Sequence, residues 1–385
     1  MKICIATGTR AEYGLLKPLI EKISADNEFT LQLLVTGAHL SPEFGLTYRQ
    51  IEADGYEIDA KVEMLLSSDT AEGITKSMGL GMIGYADALK SLSPDLLVIL
   101  GDRYEMLSVA STALIFRIPI AHIHGGELTE GAYDDAIRHA ITKMSALHFA
   151  STEIYRQRII QLGEQPERVF NVGAIGLDNF RSLQLLTKRE LEEDLNIEFK
   201  KFNYLIGFHP ETLSNQSIEF QFNELIQAID KENDSFFVFT KANADTGGRI
   251  INQLIDLYVK EYPNKAVLFD SLGTLRYLSM LAQVTALIGN SSSGIVEAPS
   301  AKTATINIGD RQKGRIMAES IINCCANENE ISNAISIAKS DDFRIKVKGM
   351  LNPYGDGLSS SRIVEVFKSI STDKLNLKTF YDIQQ

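Results

Sequence analysis

Acidic side chains that follow apolar runs are the residues of this 385-residue sequence best suited to acid/base chemistry. Asp102 comes directly after the apolar run Leu96–Leu100, so its carboxylate is expected at the edge of a sheet with one side partly desolvated. Partial desolvation tunes the pKa of a carboxyl group for proton transfer. Asp is also a common helix cap after a strand, and Asp102 taken alone slightly favours that interpretation.

Two further acids, Glu127 and Asp134, are predicted on neighbouring loops of the same half of the chain. The segment Asp134–His139 begins a predicted helix, where acids suit the positive helix end and the pair Asp134/Arg138 has i,i+4 spacing. A solvated helix start explains this segment without any function. A catalytic interpretation is favoured because three acids, Asp102, Glu127 and Asp134, are expected on neighbouring loops.

A histidine pair lies on the next predicted strand, where His122 and His124 flank Ile123. Side chains repeat every two residues along a strand, so both imidazoles are expected on one face. With Asp102 and Glu127 this geometry would fit a metallohydrolase. No metalloprotease motif or cysteine cluster accompanies it, so we predict no metal, and one of the two histidines fits a hydrogen-bonded core residue.

A serine-rich turn in the second half, Gly289-Asn290-Ser291-Ser292-Ser293-Gly294, is a candidate anion site. Its glycines allow close approach of the backbone, and its amides can face a phosphate at a helix start. Helix capping by the serines is the alternative. The preceding strand and the downstream basic residues favour a diphosphate; those residues are Arg311, Lys313 and Arg315.

Other candidate binding residues lie mostly just beyond predicted strands. The set comprises Arg10, His39, Arg103, Arg138, His209, Asn243 and Asp245. A guanidinium at Arg10 or Arg103 can bind phosphate, or can pair with a carboxylate as a structural residue. His209 can donate to phosphate or uridine, although loop histidines are often incidental. Asn243 and Asp245 can meet base or ribose hydroxyls.

One apparent nucleotide motif fails on its context. Gly79-Leu80-Gly81-Met82-Ile83-Gly84 matches G-x-G-x-x-G, and an acid follows at a plausible distance. The motif lies inside the helical-period segment Thr70–Ser91 instead of between a strand and a helix start. We therefore predict that these glycines permit close helix packing, and we predict no nicotinamide cofactor.

The elements that position these residues alternate between short apolar runs and segments of helical period, which is typical of parallel sheets. The first series of predicted strands is Lys2–Thr7, Leu31–Thr36, Asp95–Leu100, Pro119–His124, Leu147–Ala150 and Val169–Val172. The second series is Tyr204–Phe208, Phe236–Thr240, Ala266–Phe269, Ala286–Gly289 and Thr303–Ile308. We predict an α/β protein of two doubly wound, Rossmann-like domains, with ligands at the carboxyl ends of the strands.

The domain boundary is expected near a charged stretch, Thr187–Lys201, which predicts a solvated helix and linker. We predict domains at residues 1–185 and 186–360. Residues 361–385 form a third segment, and the amphipathic run Ser359–Ser369 can pack back on the first domain.

Charge and composition narrow the class of partner. The 50 acidic and 38 basic residues give a net charge of -12, which disfavours nucleic acids and anionic membranes as partners. Three cysteines form neither a disulfide framework nor a zinc spacing. No apolar run reaches the length of a signal sequence or a membrane span, so we expect a cytoplasmic protein.

Five motifs taken in order give the sequence a family resemblance. They are Gly8-Thr9-Arg10-Ala11-Glu12-Tyr13-Gly14, Gly101-Asp102-Arg103, His122-Ile123-His124-Gly125-Gly126-Glu127, Asp134-Asp135-Ala136-Ile137-Arg138-His139 and Gly289-Asn290-Ser291-Ser292-Ser293-Gly294. Together they resemble the hydrolysing UDP-N-acetylglucosamine 2-epimerases of sialic-acid biosynthesis. The non-hydrolysing sister enzymes typically have Pro where Ala11 stands and Thr where Arg103 stands.

The resemblance implies a GT-B fold, in which two Rossmann-like domains surround a central cleft, and a homodimer or homotetramer. It implies hydrolysis of UDP-N-acetylglucosamine (UDP-GlcNAc) to UDP and N-acetylmannosamine through 2-acetamidoglucal. The first domain would hold the sugar and the second would hold UDP. No cofactor is required for these steps.

The resemblance also assigns residues. Asp102 and Asp134 match carboxylates implicated in catalysis. The matches to UDP-binding positions are Arg10, His209, Asn243, Asp245, Ser291, Ser292, Glu297 and Arg311. Some relatives have a catalytic Glu where His124 stands, so either His124 or Glu127 takes that proton-transfer role.

Three alternatives remain within this fold. The same reaction on UDP-N,N'-diacetylbacillosamine differs only at C4 and C6 of the sugar. A retaining glycosyltransferase would need an acceptor, and a non-catalytic UDP-sugar sensor would bind without turnover.

Overall fold

The computed structural model describes residues 1–66, 68, 70–129, 133–211, 216–242, 248–371, 375 and 377–383. Within them the chain forms two compact units. The first unit comprises Met1–Glu127, Asp134–Asn179 and Tyr354–Gln385, and the second comprises Leu128–Tyr133 and Phe180–Pro353.

Each unit is built on one parallel sheet. The strands of the first sheet, in the order β3-β2-β1-β4-β5-β6-β7, are β1 Lys2–Thr7, β2 Thr30–Thr36, β3 Ala60–Val62, β4 Leu96–Leu100, β5 Ile120–Ile123, β6 Leu147–Ala150 and β7 Val169–Asn171. The strands of the second sheet, in the order β10-β9-β8-β11-β12-β13, are β8 Phe202–Gly207, β9 Ser235–Thr240, β10 Ala266–Phe269, β11 Ala286–Gly289, β12 Ala304–Ile308 and β13 Ile321–Cys324.

Helices connect the strands, as parallel pairing requires. In chain order they are α1 Arg10–Ser24, α2 Tyr48–Ala53, α3 Ala71–Leu92, α4 Tyr104–Ile115, α5 Asp134–Met144, α6 Glu153–Gln161, α7 Asn179–Ser182, α8 Lys188–Leu195, α9 Ile218–Asp230, α10 Gly248–Glu261, α11 Gly273–Gln283, α12 Ser292–Val296, α13 Glu328–Lys339, α14 Asp341–Gly349 and α15 Ser359–Ser369. Short 3₁₀ turns cover Gly37–Leu40, Pro42–Phe44, Pro166–Arg168 and Ile175–Asp178.

Alternate side chains of β1 enter different cores, so both faces of the first sheet are covered. Ile3 and Ile5 pack with Leu16 of α1, whereas Cys4 and Ala6 pack with Tyr85 of α3. The second sheet follows the same rule, with separate cores on its two faces. Because strands buried on both faces read as continuous apolar runs, the sequence signals them strongly.

All eleven predicted strands are confirmed, with boundaries that differ by at most two residues. The prediction missed β3 and β13, which are the edge strands of their sheets. In β3 only Val62 is buried, and no residue of β13 is fully buried. Neither strand therefore carries the apolar run on which the prediction depends.

The glycines of the rejected dinucleotide motif lie inside α3, as predicted. A Cβ added at Gly84 would lie 2.5 Å from the Val62 side chain, and one at Gly81 would lie 2.9 Å from Tyr85. These two glycines bring α3 close to its neighbours, whereas a Cβ at Gly79 would meet nothing within 4 Å. Close packing thus accounts for two of the three positions.

The C-terminal helix α15 is part of the first unit. Its Ile363 and Phe367 enter the same core as Ile3 and Ile5. The carboxylate of Asp178 accepts the backbone N–H groups of Ser359 and Ser360, at 2.9 and 2.7 Å, and so caps the start of the helix. None of the described helices has both the length and the apolar composition that crossing a bilayer requires.

The end of the chain is attached to α5 through Lys378. Its ammonium group donates to the carbonyl oxygens of Lys143 and Ser145, each at 2.7 Å, and pairs with Glu164 at 2.7 Å. Glu164 is buried, and His148 also contacts it at 3.0 Å. These contacts hold the carboxylate ionised, with its pKa lowered to about 2 against the opposing effect of burial.

Replacing Lys378 should therefore destabilise the first unit. Lys378→Met removes a charged donor from a buried carboxylate and two carbonyl groups, so we expect the free energy of unfolding to fall by about 1–3 kcal/mol. Urea unfolding followed by circular dichroism measures the change. The matched control is Lys368→Met, because the ion pairs that Lys368 makes with Asp26 and Glu28 lie at the surface and should matter little. Equal effects of the two variants would contradict the prediction.

Candidate active site

Asp102 is held at the end of β4 by an ion pair. Gly101, with a left-handed φ of +76°, turns the chain there, and Asp102 follows with 20% of its side chain exposed. Its Oδ2 accepts a hydrogen bond from Nη2 of Arg138. The cap residue of α4 is Arg103, without a side-chain capping bond, so the helix-cap interpretation of Asp102 is wrong.

Arg138 is a buried cation on α5, with 2% of its surface exposed. Its Nε and Nη1 make no hydrogen bond to any residue that the structure describes. Buried charges are costly unless paired, so the bond to Asp102 is what offsets the burial of this guanidinium. Asp102 and Arg138 therefore depend on each other for their positions.

His122 is the core histidine of the predicted pair. Its Nε2 lies 2.7 Å from the carbonyl oxygen of Gly101, and its Nδ1 lies 3.1 Å from the hydroxyl of Thr142. A carbonyl only accepts, so Nε2 carries the proton. Burial lowers the pKa of His122 to about 3, and the ring stays neutral. It fixes the turn that presents Asp102.

His124 has different neighbours, because β5 ends at Ile123 and His124 adopts a left-handed φ of +65°. Its Nε2 accepts the backbone N–H of Ile175 at 3.2 Å, and its Nδ1 lies 3.7 Å from Oε1 of Glu127. The expectation that both imidazoles share one strand face is therefore wrong. Among the described residues no group of three or more metal-ligating side chains converges.

Glu127 and His124 form a pair of candidate proton-transfer groups. Glu127 is buried, and its Oε1 also accepts the hydroxyl of Ser151 at 2.7 Å. Asp134 is the first residue of α5 and lies one turn before Arg138. The structure thus brings Asp102 together with Arg138, and Glu127 with His124.

Of the other predicted binding residues in the first unit, Arg10 and Arg103 are half-buried at the starts of α1 and α4. His39 is fully buried, and its ring nitrogens contact the hydroxyls of Thr7 and Thr47 at 3.1 and 2.8 Å. Burial lowers the pKa of His39 to about 4. His39 is thus a neutral, buried residue whose two ring nitrogens both contact hydroxyls, and its contact with the substrate stays a prediction.

In the second unit the serine-rich turn follows β11. A Cβ at Gly289 would lie 2.1 Å from the carbonyl oxygen of Gly207, so glycine is required for this close approach. Ser291 caps α12, and its hydroxyl accepts the N–H of Ser293 at 3.3 Å. This is the helix capping that the sequence offered as the alternative to anion binding. Ser292 is exposed at the helix start, and Glu297 follows the helix end.

Asn290 holds the groups around this turn, a role that the sequence analysis missed. Its side chain binds both the N–H and the carbonyl of His209, at 2.7 and 2.8 Å. Its own carbonyl accepts from Arg311 at 3.3 Å and from Gln312 at 2.8 Å. The only sequence signal was an Asn directly after an apolar strand. Asn243 and Asp245, two further predicted residues, lie outside the described residues.

Comparison with known proteins gives consistent matches over the whole chain. A family model described as UDP-N-acetylglucosamine 2-epimerase matches residues 21–368. The chain is 45% identical to the "GDP/UDP-N,N'-diacetylbacillosamine 2-epimerase (hydrolyzing)" of Campylobacter jejuni, over 99% of both chains. It is 41% identical to "Polysialic acid biosynthesis protein P7" of Escherichia coli, over 100% of this chain and 98% of the relative.

A third relative, the "UDP-N,N'-diacetylbacillosamine 2-epimerase (hydrolyzing)" of Legionella pneumophila, is 34% identical over 96% of both chains. Among solved structures, the UDP-GlcNAc 2-epimerase of Neisseria meningitidis bound to UDP-GlcNAc has a TM-score of 0.82 at 18% identity, covering 96% of this chain and 100% of that one. This likeness confirms the predicted fold class, the GT-B-like fold of two Rossmann-like domains.

The neutral state of His122 predicts a pH effect on stability. The unfolded histidine, with a pKa of about 6.5, binds a proton below that pH, whereas the folded one does so only near 3. The free energy of unfolding should therefore be highest above about pH 6.5 and should fall on acidification by about 1.4 kcal/mol per pH unit from this residue. His122→Gln keeps a donor for Gly101 and should remove that part of the slope. Denaturant unfolding between about pH 6.5 and 4 measures it, and an unchanged slope would contradict the assignment.

Proposed function

The chain belongs to the UDP-N-acetylglucosamine 2-epimerase family, and we propose that it catalyses the hydrolytic 2-epimerisation of UDP-N,N'-diacetylbacillosamine. It is an enzyme of the UDP-sugar 2-epimerase type. The observation that carries the choice of substrate is the 45% identity to the Campylobacter jejuni relative, whose name specifies the diacetylbacillosamine sugar.

This substrate replaces the first expectation from the sequence, UDP-GlcNAc. The Legionella pneumophila relative, at 34% identity, also has diacetylbacillosamine in its name. UDP-GlcNAc remains the second candidate, because the 41% identical relative from Escherichia coli is named for polysialic acid biosynthesis. The two sugars differ at C4 and C6, away from the bonds that change at C1 and C2.

The chemistry begins with loss of UDP. In an α-linked UDP-sugar the C1–O bond and the hydrogen at C2 are anti, so both can leave in one elimination. No carbonyl acidifies C2 through the ring, so cleavage at C1 runs ahead and gives the ring oxocarbenium character. A base takes the C2 proton, the C1–O electron pair leaves with the diphosphate, and a glycal with a C1–C2 double bond remains.

Water then adds to the glycal. Its oxygen bonds to C1 and a proton returns to C2 on the opposite face, which gives the epimerised free sugar. Two acid/base groups on opposite faces of the ring suffice. We assign one role to Asp102, oriented by Arg138, and the other to His124 or Glu127. Asp134, on the same helix as Arg138, is the further catalytic candidate.

The second unit is proposed to stabilise the departing diphosphate. Arg311 supplies a positive charge, and the hydroxyls of Ser291 and Ser292 supply donors at the start of α12. Preorganised donors lower the barrier most where charge develops. His209, held by Asn290, is assigned to the nucleotide together with Glu297. In the first unit, Arg10 and Arg103 are assigned to the substrate's anionic groups.

We also propose a cytoplasmic homodimer or homotetramer. The free cysteines Cys4, Cys324 and Cys325 fit a reducing compartment. Large apolar side chains are exposed on the neighbouring helices α3 and α4, which supports self-association; examples are Leu80, Ile83, Leu114 and Ile115. A purely monomeric mass in light scattering would contradict the oligomer.

The substrate experiment supplies each sugar nucleotide separately in heavy water. We expect UDP release with UDP-N,N'-diacetylbacillosamine at a kcat/KM at least about tenfold above that with UDP-GlcNAc, because a site that binds a substrate amide loses affinity for an analogue lacking it. The free sugar should carry one deuterium at C2, which a glycosyltransferase would not introduce.

The GDP-linked sugar serves as the control for recognition of the nucleobase. We expect slower turnover of this compound than of the UDP-linked sugar. Turnover of UDP-GlcNAc alone would overturn the proposed substrate in favour of the second candidate. Binding of both sugars without turnover would support a sensor instead.

A further inference from the structure

A buried pair of carboxylates lies behind Arg103 in the first unit, and the proposed chemistry does not use it. Glu12 is the third residue of α1, and Glu105 is the second residue of α4. Their exposed fractions are 8% and 1%. Buried carboxylates are rare unless they are paired, so each of them requires an explanation.

Glu105 binds one edge of the Arg103 guanidinium. Nε of Arg103 lies 3.4 and 3.3 Å from the two carboxylate oxygens, and Nη2 lies 3.3 Å from Oε1. The carboxylate is itself confined, because a Cβ at Gly37 would lie 3.2 Å from both Cγ and Oε1 of Glu105. A contact through two guanidinium nitrogens fixes the plane of the group as well as its place.

Glu12 is only half satisfied. Its Oε2 accepts the backbone N–H groups of Gly8 at 2.7 Å and Thr9 at 3.2 Å, which completes the capping box of α1. Its Oε1 is buried and has no hydrogen-bond partner within the described part of the chain. The capping box accounts for one oxygen and leaves the other without a structural role.

We propose that Glu105 and Glu12 are positioning residues for Arg103: Glu105 orients the guanidinium, and Glu12 sets the charge of the pocket behind it. This inference rests on the proposed function, in which Arg103 meets the anionic part of the sugar nucleotide. The two side chains lie close together, since a Cβ at Gly8 would be 3.4 Å from Oε2 of Glu12 and 3.7 Å from Cβ of Glu105. Ionisation of Glu12 therefore adds a negative charge beside the carboxylate that binds Arg103.

Burial raises the pKa of Glu12 to about 7; the Arg103 charge opposes this rise, and the Glu105 charge adds to it. Two other titratable groups of the described structure near these carboxylates stay neutral near pH 7. His39, on the turn that contains Gly37, stays neutral because burial lowers its pKa to about 4. Tyr85 of α3 stays neutral because burial raises its pKa. Arg10, on the same helix as Glu12, stays charged at all relevant pH values.

The sign of the effect follows from charge. Below about pH 7 Glu12 is protonated and adds no negative charge beside Glu105 and Arg103. Above that pH Glu12 gains a negative charge, which weakens attraction for an anionic ligand. A sugar nucleotide carries no group that titrates in this range, so a change in its KM reports on the protein.

The first test measures KM for the UDP-sugar that is turned over, between about pH 6 and 8. We expect the wild-type KM to rise about threefold to tenfold with pH. Glu12→Gln keeps the shape and the capping oxygen, and its KM should stay near the wild-type value at low pH. The matched control is Glu52→Gln, a surface carboxylate paired with Lys61, and it should follow the wild type. A wild-type KM without the rise, or a rise that persists in Glu12→Gln, would overturn the role of Glu12.

The second test separates orientation from folding. Glu105→Ala should raise KM about tenfold or more with a smaller change in kcat, because Arg103 loses the partner that fixes its plane. Glu105→Gln should recover part of that loss, since its amide oxygen still accepts from Arg103. The role of Glu105 would be overturned if KM did not rise in Glu105→Ala. It would also be overturned if both variants lowered kcat by the same factor by which they raised KM.

A binding experiment keeps this inference distinct from the proposed function. Asp102→Asn is expected to bind UDP-sugars without turning them over, so calorimetric titration at several pH values reads the Glu12 effect without catalysis. If the wild type turns over neither sugar but binding still weakens with rising pH, the proposed function is overturned and the present inference stands. Turnover with pH-independent binding would overturn the present inference alone.

Discussion

The ion pair between Arg138 and Asp102 is the constraint on which the rest of the site depends. A guanidinium that is 2% exposed needs a charged partner, and Asp102 is the partner that the structure gives it. The pair joins the end of β4 to α5, two elements far apart in sequence. It also fixes which carboxylate oxygen faces Arg138, namely Oδ2, and the proposed proton transfer is assigned to the other.

Neighbouring polar contacts hold the two elements that carry this pair. His122 binds Gly101 and Thr142, and so connects the turn before Asp102 to α5. Lys378 binds the carbonyl groups of Lys143 and Ser145 at the same C-terminal end of α5. The C-terminal end of the helix that carries Arg138 is therefore held by polar contacts from two separate parts of the chain, which favours a fixed position for Arg138.

The sequence predicted most of the fold because strands buried on both faces have an apolar side chain at nearly every position. It predicted β3 and β13 poorly because edge strands lack that signal. The candidate residues were found from their places after strands. Their partners were not, because the left-handed turn at His124 and the pairing of Asp102 with a residue 36 positions away are set by packing. The Thr9-x-x-Glu12 spacing fits the capping box that the structure shows, but nothing in it indicates the burial of Glu12 beside Glu105.

The central claim is that Asp102 moves a proton at C2 of the sugar, and Asp102→Asn tests it most directly. The variant leaves Arg138 without its charged partner, so calorimetric UDP binding and the unfolding temperature must be measured together with turnover. We predict that turnover falls by about 10²-fold to 10⁴-fold while UDP affinity stays within a few-fold of the wild type. Unchanged turnover in a folded, UDP-binding variant would contradict the account.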